Sequence, residues 1–176
     1  MSEFQVLGLF GPAGSGKDLV ADWLVDMKGF IKLAYADPMK RFVARTFDIN
    51  LNYLWGSSEL RNLEFDVTED WWAMAFRAFN DGNREITRHV LSREHQTSGY
   101  LALIDWMQGL RLKYRNRISA RVILQTLGTE WGRHQDPELW PRYAISVIEK
   151  IKNGDVFYTQ FGGPDPVGKY RMSRAF

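Results

Sequence analysis

The stretch LFGPAGSGKDLVADWL (residues 9–24) joins an apolar run, a glycine-rich turn and a helical pattern. Gly11 to Lys17 match G-x-x-x-x-G-K, a pattern in which the backbone curls so that its N–H groups point at phosphate oxygens. The apolar run 4–10 predicts a buried strand before the turn, and residues 17–28 predict a helix whose positive N-terminal end favours anions. We therefore expect a nucleoside triphosphate site. Its residues are Gly11, Pro12, Ala13, Gly14, Ser15, Gly16, Lys17 and Asp18.

Asp18 departs from this pattern, because most such loops carry a serine or threonine at that position. A carboxylate is a hard oxygen ligand and holds Mg²⁺ directly or through water, which predicts a metal role for Asp18. The alternative is that Asp18 only complements the dipole of the helix, as an acidic residue of its first turn. The sequence leaves both interpretations open and favours the metal.

The chain around this loop predicts an α/β fold. FIKLAYA (residues 30–36) predicts a second strand after the first helix, and a strand–helix–strand unit predicts a parallel sheet. DVFYTQF (residues 155–161) predicts a third strand. Helices are predicted after Asp37, from Thr68 to Gly82, near residues 100–114, after Ser119, and after Asp136.

The helix predicted after Ser119 has one polar and one apolar side. At about 100° per residue, one side is apolar and predicts a core face. The other side includes two glycines, which weaken a helix by about 1 kcal/mol each, and two arginines, which suit phosphate. We interpret the glycines as room for a ligand or another backbone. The polar side is Arg121, Gln125, Gly128, Thr129, Gly132 and Arg133.

Composition limits the class of protein. The chain has 176 residues and no cysteine, which excludes disulfides and thiolate metal sites, and it shows no signal peptide and no membrane span. We expect a single cytoplasmic domain that binds no membrane. The net charge of +2 does not favour nucleic acid, although residues 82–121 carry eight basic residues against three acidic ones. That basic stretch predicts either a solvated helical surface or a segment that closes over polyphosphate.

Four segments carry a family resemblance. GPAGSGKD, YADPMKRF, LWGSSELRN, and RVILQTLGTEWGR followed by DPELW occur in this order between residues 5 and 150. Together they resemble the deoxynucleoside monophosphate kinases of bacteriophages, and the lysine-aspartate ending of the loop is shared with animal-type phosphomevalonate kinases. The resemblance implies a P-loop kinase fold, with a parallel sheet flanked by helices, a helical monophosphate-binding arm and a lid.

The resemblance also implies an activity, a domain plan and a set of residues. The activity is transfer of the ATP γ-phosphate to a deoxynucleoside 5′-monophosphate with Mg²⁺. The resemblance suggests a homodimer in the cytoplasm, which is the host's cytoplasm if a phage encodes the protein. The core is expected at 4–37 and 119–161, an arm and lid at about 38–118, and a short or truncated C-terminal part with an irregular tail at 162–176.

The implied catalytic residues are Lys17, Asp18, Arg121 and Arg133. The implied acceptor-binding residues are Asp37, Lys40, Arg61, Arg121, Gln125, Thr129, Glu130 and Arg133.

Two other functions stay open at this stage. The loop does not separate a nucleotide kinase from a kinase for another phosphorylated metabolite such as phosphomevalonate. A P-loop protein that binds nucleotide without transferring phosphate is a further alternative, supported by the short C-terminal part.

Overall fold

The structure is a computed structural model that describes residues 4–12, 14–90 and 96–153. Its contacts divide the chain into two compact units, one of residues 1–34 with 144–176 and the other of residues 35–143. The described elements are α1 (Lys17–Lys28), α2 (Asp37–Phe47), α3 (Asn52–Trp55), α4 (Ser58–Asn62), β1 (Glu64–Asp66), α5 (Glu69–Val90), α6 (Gln96–Lys113), β2 (Arg117–Ser119), α7 (Ala120–Thr126), a π-helix (Leu127–Arg133) and α8 (Leu139–Lys152).

The first unit contains the glycine-rich turn and α1. The helix ends where predicted, because Gly29 adopts a left-handed conformation (φ 69°) and its N–H bonds to the carbonyls of Leu24 and Val25. The strand predictions for 4–10 and 30–36 do not match the structure, which gives both segments an irregular backbone. A strand exists only when a neighbour completes its hydrogen-bond ladder. The third predicted strand, 155–161, lies outside the described residues, so the parallel sheet and the P-loop kinase fold stay predictions.

The second unit is a helical assembly built on α2 and α5. Phe42 and Phe47 of α2 are buried and contact aromatic rings of α5 edge to face, with 6.2 Å between the ring centroids of Phe42 and Phe79 and 6.1 Å between those of Phe47 and Trp72. Trp106 of α6 packs on the same two phenylalanines. Edge-to-face pairs of buried rings add stability beyond the area that they bury.

The bounds of α5 correct one prediction. Thr68 caps the helix as predicted, since its Oγ1 accepts from the Trp71 N–H at 3.2 Å. The helix does not stop at Gly82 but continues to Val90. A glycine inside a helix costs only about 1 kcal/mol, which is too little by itself to end the helix.

A short antiparallel pairing that the sequence did not predict leads into α7. Phe65 of β1 pairs with Ile118 of β2, and Glu64 pairs with Ser119. Ile118 and Ser119 are buried. The pairing therefore fixes the residue that caps α7, and with it the start of the helix that carries the predicted acceptor arginines.

Among the described residues, no helix combines the length and the apolar character that crossing a bilayer requires.

Candidate functional site

Two glycines of the glycine-rich turn adopt left-handed backbone conformations. Gly14 and Gly16 have φ angles of 79° and 78°, a region that other residues enter only at a cost. A β-carbon at either glycine would meet no atom within 4 Å, so the backbone conformation and not crowding calls for glycine there. At Gly11 a β-carbon would instead overlap the side chain of Ser15. Ala13 lies outside the described residues.

Lys17 is the first residue of α1, directly after this turn. Its Nζ donates to the Pro12 carbonyl at 3.0 Å, so the ammonium group lies over the loop. Gly16, the N-cap of α1, provides no side chain to bond the first N–H groups of the helix. N–H groups without such a cap, together with the helix dipole, favour an anion at this end.

Asp18 has a cationic neighbour from outside the loop. Its side chain is 79% exposed and lies 3.6 Å from Nζ of Lys32, which also bonds to Asp22 at 2.8 Å. The described residues contain no group of three or more acidic or histidine side chains able to hold a metal ion. One carboxylate still suits Mg²⁺ when phosphate oxygens and waters supply the other ligands. The metal role and the dipole role therefore both stay open.

The helix after Ser119 has the predicted cap, a buried apolar side and a row of exposed polar side chains. Ser119 Oγ accepts from the Val122 N–H at 3.3 Å, and Ile123, Leu127 and Trp131 are buried. The polar side chains at every fourth position are exposed. These are Arg121, Gln125, Thr129 and Arg133.

The second half of this segment is a π-helix, which the periodicity did not predict. From Leu127 to Arg133 the backbone bonds follow the i→i+5 spacing, a geometry that often marks functional sites. The wider turn changes which side chains share a face. Glu130, implied by the resemblance to bind the acceptor, is exposed and lines a cleft against α6.

The two glycines of the predicted polar side are buried against side chains, and this corrects their interpretation as room for a ligand. A β-carbon at Gly128 would lie 3.0 Å from the sulfur of Met39, and one at Gly132 would overlap the indole ring of Trp140. The same indole donates from Nε1 to the Gly128 carbonyl at 3.2 Å. The glycines therefore allow α2 and α8 to pack closely on the π-helix.

The two candidate phosphate-binding arginines keep exposed guanidinium groups. In the part of the chain that the structure describes, neither Arg121 nor Arg133 forms an ion pair. Thr129 donates its hydroxyl to the Gln125 carbonyl at 2.7 Å, which leaves the oxygen able to accept. The three side chains at positions 121, 129 and 133 belong to the unit of residues 35–143, and the loop belongs to the other unit.

The remaining predicted acceptor residues lie in different environments. Asp37 is buried at the start of α2, with 2% of its surface exposed. Lys40 lies over the ring of Trp55, with 5.1 Å between Nζ and the ring centroid. Arg61 donates to Ser58 Oγ at 3.2 Å, and its Nε is buried without a hydrogen-bond partner among the described residues.

Sequence reasoning missed Arg41, the most buried arginine of the described residues. It is 5% exposed and donates to the Tyr143 hydroxyl, which links α2 to the start of α8. Its position four residues after Asp37 was the available signal, because residues at that spacing share a helix face. A charged side chain on the buried face of a helix indicates a structural or binding role that composition does not show.

Part of the chain is similar in sequence to a protein that has a functional description. A protein of Acanthamoeba polyphaga mimivirus described as "Putative deoxynucleotide monophosphate kinase" is 33% identical over 67 residues. The match covers 38% of this chain and 33% of the relative, so the chain spans about a third of the length of that protein. No family model and no solved structure matches the chain. The chain is therefore similar, over part of its length, to a protein described as a nucleotide kinase.

Proposed function

We propose that the protein transfers the γ-phosphate of ATP to deoxynucleoside 5′-monophosphates and has a P-loop kinase fold. The observation that carries the proposal is the turn before α1, in which Gly14 and Gly16 take left-handed conformations and Lys17 begins the helix. This combination of backbone and charge suits a chain of phosphates. The partial similarity to the mimivirus protein supports a nucleotide as substrate.

In this proposal the turn holds the donor. Backbone N–H groups from Gly14 to Lys17 bind phosphate oxygens, and Lys17 leaves the Pro12 carbonyl to reach the terminal phosphates. Asp18 would hold Mg²⁺ in place of its present contact with Lys32. When bound, Mg²⁺ neutralises charge on the β- and γ-phosphates.

The acceptor is held by the exposed side of α7 and the π-helix. Arg121 and Arg133 bind the monophosphate through charged hydrogen bonds, which are stronger than neutral ones. Gln125 and Thr129 lie between them on the same side and contact the sugar. The acceptor phosphate is itself the nucleophile, so the chain needs to supply position and positive charge but no general base.

One assay tests the proposal against its alternatives. The purified protein is incubated with labelled ATP, Mg²⁺ and a panel of deoxynucleoside monophosphates, ribonucleoside monophosphates and phosphomevalonate. We expect transfer to the deoxynucleotides. Transfer to phosphomevalonate alone would favour a metabolite kinase, and ATP binding without transfer to any acceptor would favour a non-catalytic nucleotide-binding protein.

A matched pair of lysine variants tests the role of the turn. Lys17→Met removes the ammonium group from the loop, and we expect it to abolish transfer without loss of helicity, because its contact is at the surface. Lys28→Met makes the same change at the other end of α1, where the lysine lies over the Trp23 ring. Transfer should survive in Lys28→Met; full activity of Lys17→Met would remove the loop from the mechanism.

A further inference from the structure

A cleft of about 350 Å³ lies between α6 and the helical segment of α7 and the π-helix, entirely within residues 35–143. Its floor is apolar and includes Trp106, Leu110 and Trp131, all of them buried. A cleft of this size is at the small end of the range for ligand sites, which suits one ring system and not an extended cofactor. Gly109 forms part of the wall that α6 contributes.

The polar atoms of the floor already have partners. Trp106 donates from Nε1 to Thr126 Oγ1 at 3.2 Å, and Trp131 donates from Nε1 to the Gly99 carbonyl at 2.9 Å. The floor therefore offers ring and aliphatic carbon, held in place by hydrogen bonds from both indoles. Such a surface suits a flat aromatic ligand, which packs against the floor without leaving polar groups unpaired.

The rim of the cleft determines which flat ligand fits. Asp105 of α6 and Glu130 of the π-helix both line it, and so do Lys113 and His134. Carboxylates only accept hydrogen bonds, so the two acidic side chains require a ligand that donates. Two carboxylates against the single lysine of this rim leave no excess of positive charge to hold a phosphate group. A neutral heteroaromatic ring with an exocyclic amino group meets these conditions, as when carboxylates accept from the amino group of cytosine.

We propose that this cleft binds the amino-bearing base of a deoxynucleoside, with Glu130 accepting a hydrogen bond from the exocyclic amino group. The assignment of this base to the acceptor nucleotide rests on the proposed function. Arg133 directly precedes His134 of the rim and is exposed. A nucleotide with its base in the cleft has its phosphate outside, where an exposed arginine such as Arg133 is free to meet it.

The test uses deoxynucleosides without phosphate, so that binding is measured apart from phosphoryl transfer. Titration calorimetry and ligand-observed NMR compare deoxyadenosine and deoxycytidine with thymidine, which has no exocyclic amino group. We expect the two amino-bearing nucleosides to bind and thymidine to bind about tenfold more weakly. Glu130→Leu, which removes the acceptor oxygens, should abolish this preference, with a loss of about tenfold for deoxycytidine, as expected for one well-placed base contact.

A pair of α6 variants tests the location. A β-carbon at Gly109 meets no atom within 4 Å, so Gly109→Phe directs its ring into the cleft. Gln108→Phe adds the same ring at the preceding position, which is exposed and does not line the cleft. We expect Gly109→Phe to abolish nucleoside binding and Gln108→Phe to leave it unchanged. If Gly109→Phe does not fold, Glu130→Leu decides the question.

The outcomes separate this inference from the proposed kinase activity. Nucleoside binding that Gly109→Phe blocks, in a protein without transfer activity, would support the cleft and contradict the kinase. Transfer to deoxynucleotides that Gly109→Phe and Glu130→Leu leave at full rate and unchanged acceptor KM would support the kinase and overturn the base site. Equal binding of thymidine and deoxycytidine would also overturn it.

Discussion

The same glycine-to-alanine change at two helical positions should shift stability in opposite directions. At Gly109 in α6, the new methyl group meets no atom within 4 Å. Replacing a glycine of a helix interior by alanine gains about 1 kcal/mol, because the unfolded chain loses backbone freedom. For a chain of 176 residues, a gain of that size raises Tm by roughly 2–4 °C.

At Gly132 the same methyl group overlaps the indole of Trp140. Forcing extra atoms into a packed interior costs about 1–3 kcal/mol, and moving the indole weakens its bond to the Gly128 carbonyl, worth about 1 kcal/mol. The helix gain of about 1 kcal/mol offsets part of this cost. We expect Gly132→Ala to lose roughly 1–3 kcal/mol, and hence the two variants to differ by about 2–4 kcal/mol.

Urea and thermal unfolding followed by circular dichroism measure both variants against the unchanged protein. The acceptor KM of each variant is measured alongside. A Gly132→Ala protein that is as stable as the original, but binds its acceptor more weakly, would refute the packing of Trp140 on Gly132. It would restore the interpretation of this glycine as room for a ligand.

Three further substitutions test single contacts. Arg133→Ala should raise the acceptor KM by about tenfold or more, through loss of a charged hydrogen bond worth about 1.5–3 kcal/mol, and an unchanged KM in steady-state kinetics would remove Arg133 from the site. Ser119→Ala removes the cap of α7 and should lower the free energy of unfolding by about 1 kcal/mol; denaturant unfolding without that loss would mean that the cap is not formed in solution. Tyr143→Phe removes the hydroxyl that accepts from buried Arg41 and should cost about 1–3 kcal/mol, measured by thermal unfolding, whereas an unchanged Tm would indicate that Arg41 does not depend on this bond.

Local signals in the sequence predicted the ends of several helices. Thr68 and Ser119 cap α5 and α7, and Gly29 ends α1, as predicted, because each acts through bonds within a few residues. Gly82 did not end α5, since one glycine costs a helix only about 1 kcal/mol and does not stop it by itself. The predicted strands at 4–10 and 30–36 needed partners that local sequence does not specify.

In the candidate site too, local sequence predicted some features, and others depended on packing. The glycines of the turn were predicted to curl the backbone, and Gly14 and Gly16 do so, because a left-handed conformation is a property of one residue and its neighbours in the chain. The spacing of Gly128 and Gly132 was also apparent in the sequence, but the sequence did not show which side chains pack beside them. Trp140 lies on another helix, and only the packing of that helix shows what fills the space beside Gly132.

By itself, the sequence determined the glycine-rich turn, the start of α1 at Lys17, and the exposed row of Arg121 and Arg133 on a helix capped by Ser119. Tertiary structure alone decided the π-helix, the burial of Arg41, and the cleft that Glu130 shares with α6. The physical reason is how far apart along the chain the interacting residues lie. Turn conformations, caps and helical periodicity depend on residues within about one or two turns of each other, whereas packing and clefts depend on side chains that folding brings together from distant parts of the chain.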